Sequence, residues 1–257
     1  STQTVATSVT YQNNVVFTGA TPKQVASGTM SVAGNLDNSA GTSVDFVTNS
    51  STLLMNGSGT QYIKGGTATN SYYSGNVVTG TIFNNVTIST TGTGAKTILQ
   101  GNNNISPLGA LKINNPASLD ATASNSLTLM SDATGSATFA ALPLGSSISG
   151  SSVNVQRFVK GSYPTDVSRR GYRLVSSTVY TGSTGGYKVW DLTWLANSAI
   201  ITGPAGGGFF KTGNPSAYIF REDIVPSDAN FTTGNYKGIA AINNSPAYNI
   251  GTQKRLT

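Results

Sequence analysis

The sequence predicts an all-β chain: a parallel β-helix or solenoid-like part over residues 1–150, followed by a β-sandwich-like module over residues 151–257. Three observations carry that expectation. Short apolar runs recur at roughly 8–12-residue spacing between clusters of Gly, Asn, Ser and Thr, the pattern of small strands joined by tight turns. No stretch sustains a 3.6-residue apolar period with helix caps. Residues 30–55 also lie on residues 105–130 without a gap, at an offset of 75.

In chain order, the strand-like runs of the first part are 52–55, 81–83, 85–88, 96–99, 110–113 and 126–130. Turn-forming clusters such as Asn102-Asn103-Asn104 and Thr90-Thr91-Gly92-Thr93-Gly94 separate them. The offset of 75 sets Leu36 on Leu111, Asp45 on Asp120, Leu54 on Leu129 and Val44 on Leu119. It exceeds one solenoid coil and suits three coils of roughly 25 residues, which bury their apolar faces by stacking. Leu36, Val44, Leu54, Leu111, Leu119 and Leu129 are therefore expected to point inward. Asp45 and Asp120 are expected at equivalent turn or strand-edge positions.

Composition narrows the chemistry. Among 257 residues there is no Cys and no His. That excludes disulfides, thiolate nucleophiles, Ser-His-Asp triads and the usual zinc and haem ligands. Only 9% of residues are charged, which suits stacked strands, because like charges in neighbouring coils about 4.8 Å apart repel. Leu, Ile, Val and Phe together make about 22% of the chain, just above the level of roughly 20% that marks disorder. No apolar run reaches the roughly 20 residues of a membrane-spanning helix. The abrupt first and last residues suggest a segment of something longer.

A break falls near residues 144–152. Residues 1–150 carry four Lys and four Asp, whereas the whole net charge of +6 lies in residues 151–257. Aromatics become denser there, and both Trp belong to this half. Residues 152–159 alternate polar and apolar, as a half-buried strand does, and 171–180, 186–195 and 216–221 read as further strands.

Few residues invite chemistry. The run Gly203-Pro204-Ala205-Gly206-Gly207-Gly208 precedes Phe209-Phe210-Lys211, so it fails the phosphate-loop pattern, in which Lys directly follows the last Gly. Glu222 and Asp223 are adjacent and would face opposite sides of a strand. Arg169 and Arg170, with Arg173, form the densest basic group, available to an acidic glycan or simply stacked on Tyr172. Tyr187, Trp190 and Trp194 lie on one strand-like run, with the two Trp in phase. They present a surface for sugar rings or, more plainly, a small aromatic core. Arg169, Arg170, Tyr187, Trp190 and Trp194 are thus the candidate surface-contact residues. No catalytic, cofactor-binding or metal-binding residue is assigned, and no nucleic-acid motif accompanies the diffuse charge.

Four phrases carry a family resemblance: "SLTLMSDATGSATFAAL" (126–142), "GSSVNVQRFV" (150–159), "RRGYRLVSS" (169–177) and "GNPSAYIFRED" (213–223). With "NNVTI" and "LKINNPASL" upstream, the chain resembles large adhesin-like cell-surface proteins of Bacteroidota exported by the type IX secretion system. In that family the first phrase closes a β-solenoid and the others open a sandwich-like module. The resemblance implies an extracellular or cell-surface location and contact with the secretion machinery during export. Surface glycans, or other copies of the protein, are the implied later partners. The expected role is a structural or adhesive segment without catalysis. A carbohydrate-binding module is the first alternative, and a β-helix polysaccharide lyase or hydrolase the second.

Overall fold

A computed structural model of the chain describes residues 1–67, 69–73, 76–123, 126–150 and 153–158, together with seven short strands between residues 182 and 254. The described residues are all-β and hold no helix, and they build a parallel β-solenoid. The chain divides into two compact units, Ser1–Gly171 and Tyr172–Thr257.

Each coil of the solenoid contributes a strand to three faces. The first face stacks Gln3–Val5, Lys23–Val25, Val44–Asp45, residues 81–83, residues 103–105, Leu127–Leu129 and Val153–Val155. The second stacks Thr10–Tyr11, Thr29–Val32, Thr52–Met55, residues 85–88, residues 110–113 and Thr138–Phe139. The third stacks Val15–Val16, Leu36–Asp37, Gln61–Lys64, Thr97–Gln100, Ser118–Asp120 and Ser147–Ser149. Every pairing within these faces is parallel, the arrangement that results when a coiled chain always advances the same way.

The strands alternate in burial because successive side chains point to opposite sides of a sheet. Thr52–Met55 shows it well: Leu53 and Met55 are fully buried, while Thr52 and Leu54 are only partly so. Register then lines up the inward residues into columns. On the second face Met30, Leu53, Val86 and Leu111 stand one above another, and Phe139, in register with Leu111 on the last coil, is exposed. On the third face Val15, Leu36, Ile63 and Leu99 do the same. The largest rings meet at the first-face corner, where Phe46 lies between Phe17 (centroids 6.4 Å apart) and Phe83 (4.9 Å).

Five of the six expected inward residues, Leu36, Val44, Leu111, Leu119 and Leu129, are buried. Leu54 is not: it shares the outer column of the second face with Ser31 and Thr87. The reason is the coil length. Register partners on the first face step by 20 residues (Gln3 to Lys23), 21 (Lys23 to Val44), 37 (Asp45 to Ile82), 22 (Thr81 to Asn103), 24 (Asn103 to Leu127) and 26 (Leu127 to Val153). An offset of 75 therefore does not return to the same face. It lays Met30 of the second face on Ile105 of the first, and Leu36 of the third on Leu111 of the second. Asp45 and Asp120 likewise sit on different faces.

The long 37-residue step contains an antiparallel hairpin, Thr69–Tyr73 with Asn76–Thr79. Val78 from this hairpin packs with Val47 on the outward Ile82 and Met130. This covers part of the outer side of the first face, where Ile82 and Asn104 are buried.

Polar side chains inside the corners bond across coils. Gln61 accepts the Gly57 N–H on Oε1 (2.9 Å) and donates Nε2 to the Val32 carbonyl (2.9 Å) and to that of Gly34, one coil away. Gly57 has to be glycine, because a Cβ there would lie 2.3 Å from the Ala33 carbonyl oxygen. Asn103 donates to Gln100 O (3.0 Å) in its own coil and to Ser126 O (3.1 Å) in the next. Bonds of this kind satisfy buried backbone groups that turn geometry leaves unpaired.

The parallel stack continues through Val153–Val155, so the charge step at residue 150 falls inside the solenoid, not at its end. In the second unit Gly182–Thr184, Tyr187–Asp191 and Asn249–Lys254 form an antiparallel sheet. Tyr218–Phe220 pairs with Ile239–Ala241 antiparallel, and Thr202–Gly203 with Lys211–Thr212 parallel. Two of the expected strands, 186–195 and 216–221, contain observed ones; 171–180 lies outside the described residues.

The inward column makes a direct prediction. Leu53→Ala should destabilise the fold by about 2–5 kcal/mol, and Leu54→Ala by less than about 1 kcal/mol. Denaturant unfolding of the two variants checks this; equal losses would contradict the register.

Candidate functional site

The third face carries charged, polar, aromatic and aliphatic side chains on its outer surface. Its outward columns run Val16, Asp37, Lys64, Gln100 and, beside them, Tyr62, Ile98, Asp120, Ser149. Register places opposite charges on neighbouring coils. Lys64 Nζ lies 3.0 Å from Asp37 Oδ2, and Lys96 Nζ lies 2.5 Å from Asp120 Oδ2.

Both Asp residues end their strands in the same turn. Asp37 Oδ1 accepts the Ser39 N–H (2.9 Å) and hydroxyl (2.6 Å), and Asp120 Oδ1 accepts those of Thr122 (3.1 and 2.7 Å). The local sequences explain the likeness: Leu36-Asp37-Asn38-Ser39 and Leu119-Asp120-Ala121-Thr122 each put a hydroxyl residue two places after Asp. The Ser39 hydroxyl is the main cause of the lowered pKa of Asp37, partly opposed by burial and helped by Lys64. Lys96 and then Thr122 draw Asp120 down to about 2.

Beside Lys96 and Asp120 lies a groove of about 480 Å³. One wall is the loop 91–96. Ser118 and Ser147, register partners on adjacent coils, line it with Ser149. Ser147 Oγ donates to Ser118 Oγ (2.9 Å). The loop is fixed by three backbone bonds: Thr91 N to Gly57 O (3.2 Å), Ala95 N to Gly92 O (3.0 Å) and Gln61 N to Lys96 O (2.9 Å). Gly92 packs so closely on the preceding coil that a Cβ would fall 1.7 Å from the Ser58 carbonyl oxygen. The groove is thus a rigid, hydroxyl-rich surface spanning three coils.

The other Asp residues of the solenoid serve turns. Asp45, nearly fully buried, accepts the N–H groups of Val47 (2.8 Å) and Thr48 (2.9 Å). Asp132 accepts the Thr134 N–H (2.8 Å) in the small hairpin Ser131–Asp132 with Gly135–Ser136. Among the described residues, no three His, Cys, Asp or Glu side chains gather as metal ligands, and no helix is long and apolar enough to cross a membrane.

Of the five surface-contact residues expected from the sequence, Arg169, Arg170 and Trp194 lie outside the described residues. Tyr187 and Trp190 are placed on strand Tyr187–Asp191, in register with Lys254 and Gly251. The groove was not anticipated. Its wall is the Thr/Gly cluster read as an ordinary turn, and its floor is formed by serines that only coil stacking brings together.

No protein-family model matches the chain, and no curated protein or solved structure matches it either.

A carboxylate with a depressed native pKa stabilises the fold above its unfolded value, here 3.8, and loses that contribution as pH falls through its native value. Asp120 should therefore support stability at pH above about 4 and lose the support on acidification towards about 2. Because Lys96 is half-exposed, its pair with Asp120 is worth at most about 1 kcal/mol. Asp120→Asn should flatten the urea-midpoint profile between pH 4 and 2; an unchanged profile would contradict the pairing.

Proposed function

We propose that this chain is a structural and adhesive segment of a large exported bacterial surface protein, a solenoid shaft without catalysis of its own. The observation that carries the reading is the unbroken parallel stacking on three faces, with inward columns continuous from coil to coil. Such an architecture extends by repetition, and its stability is nearly a sum of coils and coil–coil interfaces. The four Asp residues of the stack support a non-catalytic role, since each holds a turn. The type IX export, the Bacteroidota origin and the extracellular location rest on the sequence resemblance. So does a sandwich-like arrangement of the second unit.

As a separate polypeptide the chain presents the edge of Gln3–Val5, Thr10–Tyr11 and Val15–Val16 as a surface on which a further coil, of a longer chain or of a second copy, can stack. Among the described residues each of these strands pairs on one side only. The groups that bond the next coil are Gln3 N and Val5 O on the first strand, Val9 O and Tyr11 O at the second, and Val15 N on the third. In a parallel ladder alternate residues bond to opposite sides. The backbone amides of Thr4, Thr10 and Val16 therefore point away from the stack. A row of free strand edges is a template for another strand.

The test is scattering and sedimentation of the full chain over a wide concentration range. The expected result is elongated, end-to-end association that the triple change Thr4→Pro, Thr10→Pro and Val16→Pro abolishes, because each Pro removes only an outward N–H. A compact monomer at every concentration would defeat the assembly.

A further inference from the structure

We propose that the third-face groove is a binding site for a short, neutral, polyhydroxylated ligand, a glycan segment of one or two sugar rings. The inference deepens the adhesive part of the function proposed above and rests on that reading.

Size sets the scale. About 480 Å³ lies in the lower part of the range of small-molecule sites, which runs from roughly 300 to 1,000 Å³. Chemistry sets the class. The lining residues Thr91, Thr93, Ser118, Ser147 and Ser149 each carry a hydroxyl; Ser147 gives its proton to Ser118 and keeps an acceptor lone pair, and the other four can donate and accept as a sugar hydroxyl does. The one cation in the lining, Lys96, is already engaged by Asp120, whose pKa is held low by that contact. The groove therefore presents no uncompensated positive charge to attract a uronate or a phosphate. Rigidity sets what binding requires of the protein: the 91–96 loop is held at Thr91, Gly92 and Lys96, so little order has to be gained.

The same lining limits the affinity. Among the described residues no aromatic side chain lines the groove, so no ring face stacks on the sugar. Hydrogen bonds exchanged with water return little net free energy. A dissociation constant on the order of a millimolar follows. Weak sites of this kind suit a surface element that binds through many copies.

The experiment is an amide-shift titration of the full chain with cellobiose, lactose and galacturonate as probes. Cellobiose or lactose should shift Gly92, Gly94, Ser118 and Ser147 together and saturate in the millimolar range, with galacturonate binding no more tightly. Ser147→Leu, an exposed position on a strand, should weaken the neutral sugars at least tenfold while leaving the melting temperature and scattering profile unchanged. Ser118→Leu provides a second blocking variant should the first disturb the strand. Absent or scattered shifts with both disaccharides would overturn the site. So would preferential galacturonate binding lost in Lys96→Met, which would show an anion site instead. Neither result touches the lengthwise assembly, which is read at Thr4, Thr10 and Val16.

Discussion

Everything in the solenoid depends on parallel pairing between successive coils. A coil of some twenty residues has only a handful of inward side chains and cannot enclose them. Leu53 is dry because Met30 lies on one side of it and Val86 on the other. The backbone ladder fixes those neighbours, and a slip of one residue would exchange Leu53 for Leu54 and turn the core residue outward. Hydrogen bonding and apolar burial are therefore one constraint in this fold: each requires the other to hold its register.

The same constraint explains the composition. Stacking repeats every side chain's environment at the spacing of neighbouring strands, so unpaired charge is costly and rare. Where charge does occur on the third face it alternates along the stack, Asp37 beneath Lys64 and Lys96 beside Asp120. Corners cannot be closed by apolar residues alone, because turns leave backbone groups unpaired. Asn38 serves there by donating to Thr42 O and Thr81 Oγ1, both at 2.9 Å. Gln61 and Asn103 serve in the same way. The abundance of Gly, Asn, Ser and Thr is thus the composition of the corners, as Leu, Ile, Val and Met are that of the faces. The groove arises where one corner loop, 91–96, is longer than the turn requires and leans over the serines of the next two coils.

Strand content and solenoid class were legible from the sequence, since two-residue alternation and turn clusters are local signals. The six inward residues were expected from the 75-residue offset; five are buried because each is a strand Leu or Val on the inward parity, although the offset itself is not a structural period. Leu54 failed because Leu53-Leu54-Met55 is a continuous apolar run, in which alternation cannot say which residue faces in. The period failed for a different reason. Coils vary in length and one carries a hairpin, so a chance similarity at 75 residues mapped faces onto the wrong neighbours. The Asp37 and Asp120 turns have a visible Asp-x-Ser/Thr signal that the offset hid by pairing Asp120 with Asp45. The Ser118–Ser147 floor has no sequence signal at all, because 29 residues and a coil separate its partners.

Disulfide trapping tests the coil register most directly, and the chain has no Cys of its own to interfere. Leu54 and Thr87 are register partners on the outer column of the second face, across the hairpin-bearing coil. Neighbouring strands lie about 4.8 Å apart, within disulfide reach. Ser31 and Lys112 share that column but are separated by three coil steps, roughly 14 Å. The Leu54→Cys/Thr87→Cys variant should cross-link rapidly within one chain while Ser31→Cys/Lys112→Cys does not. Failure of the first pair with closure of the second would contradict the parallel stack described above.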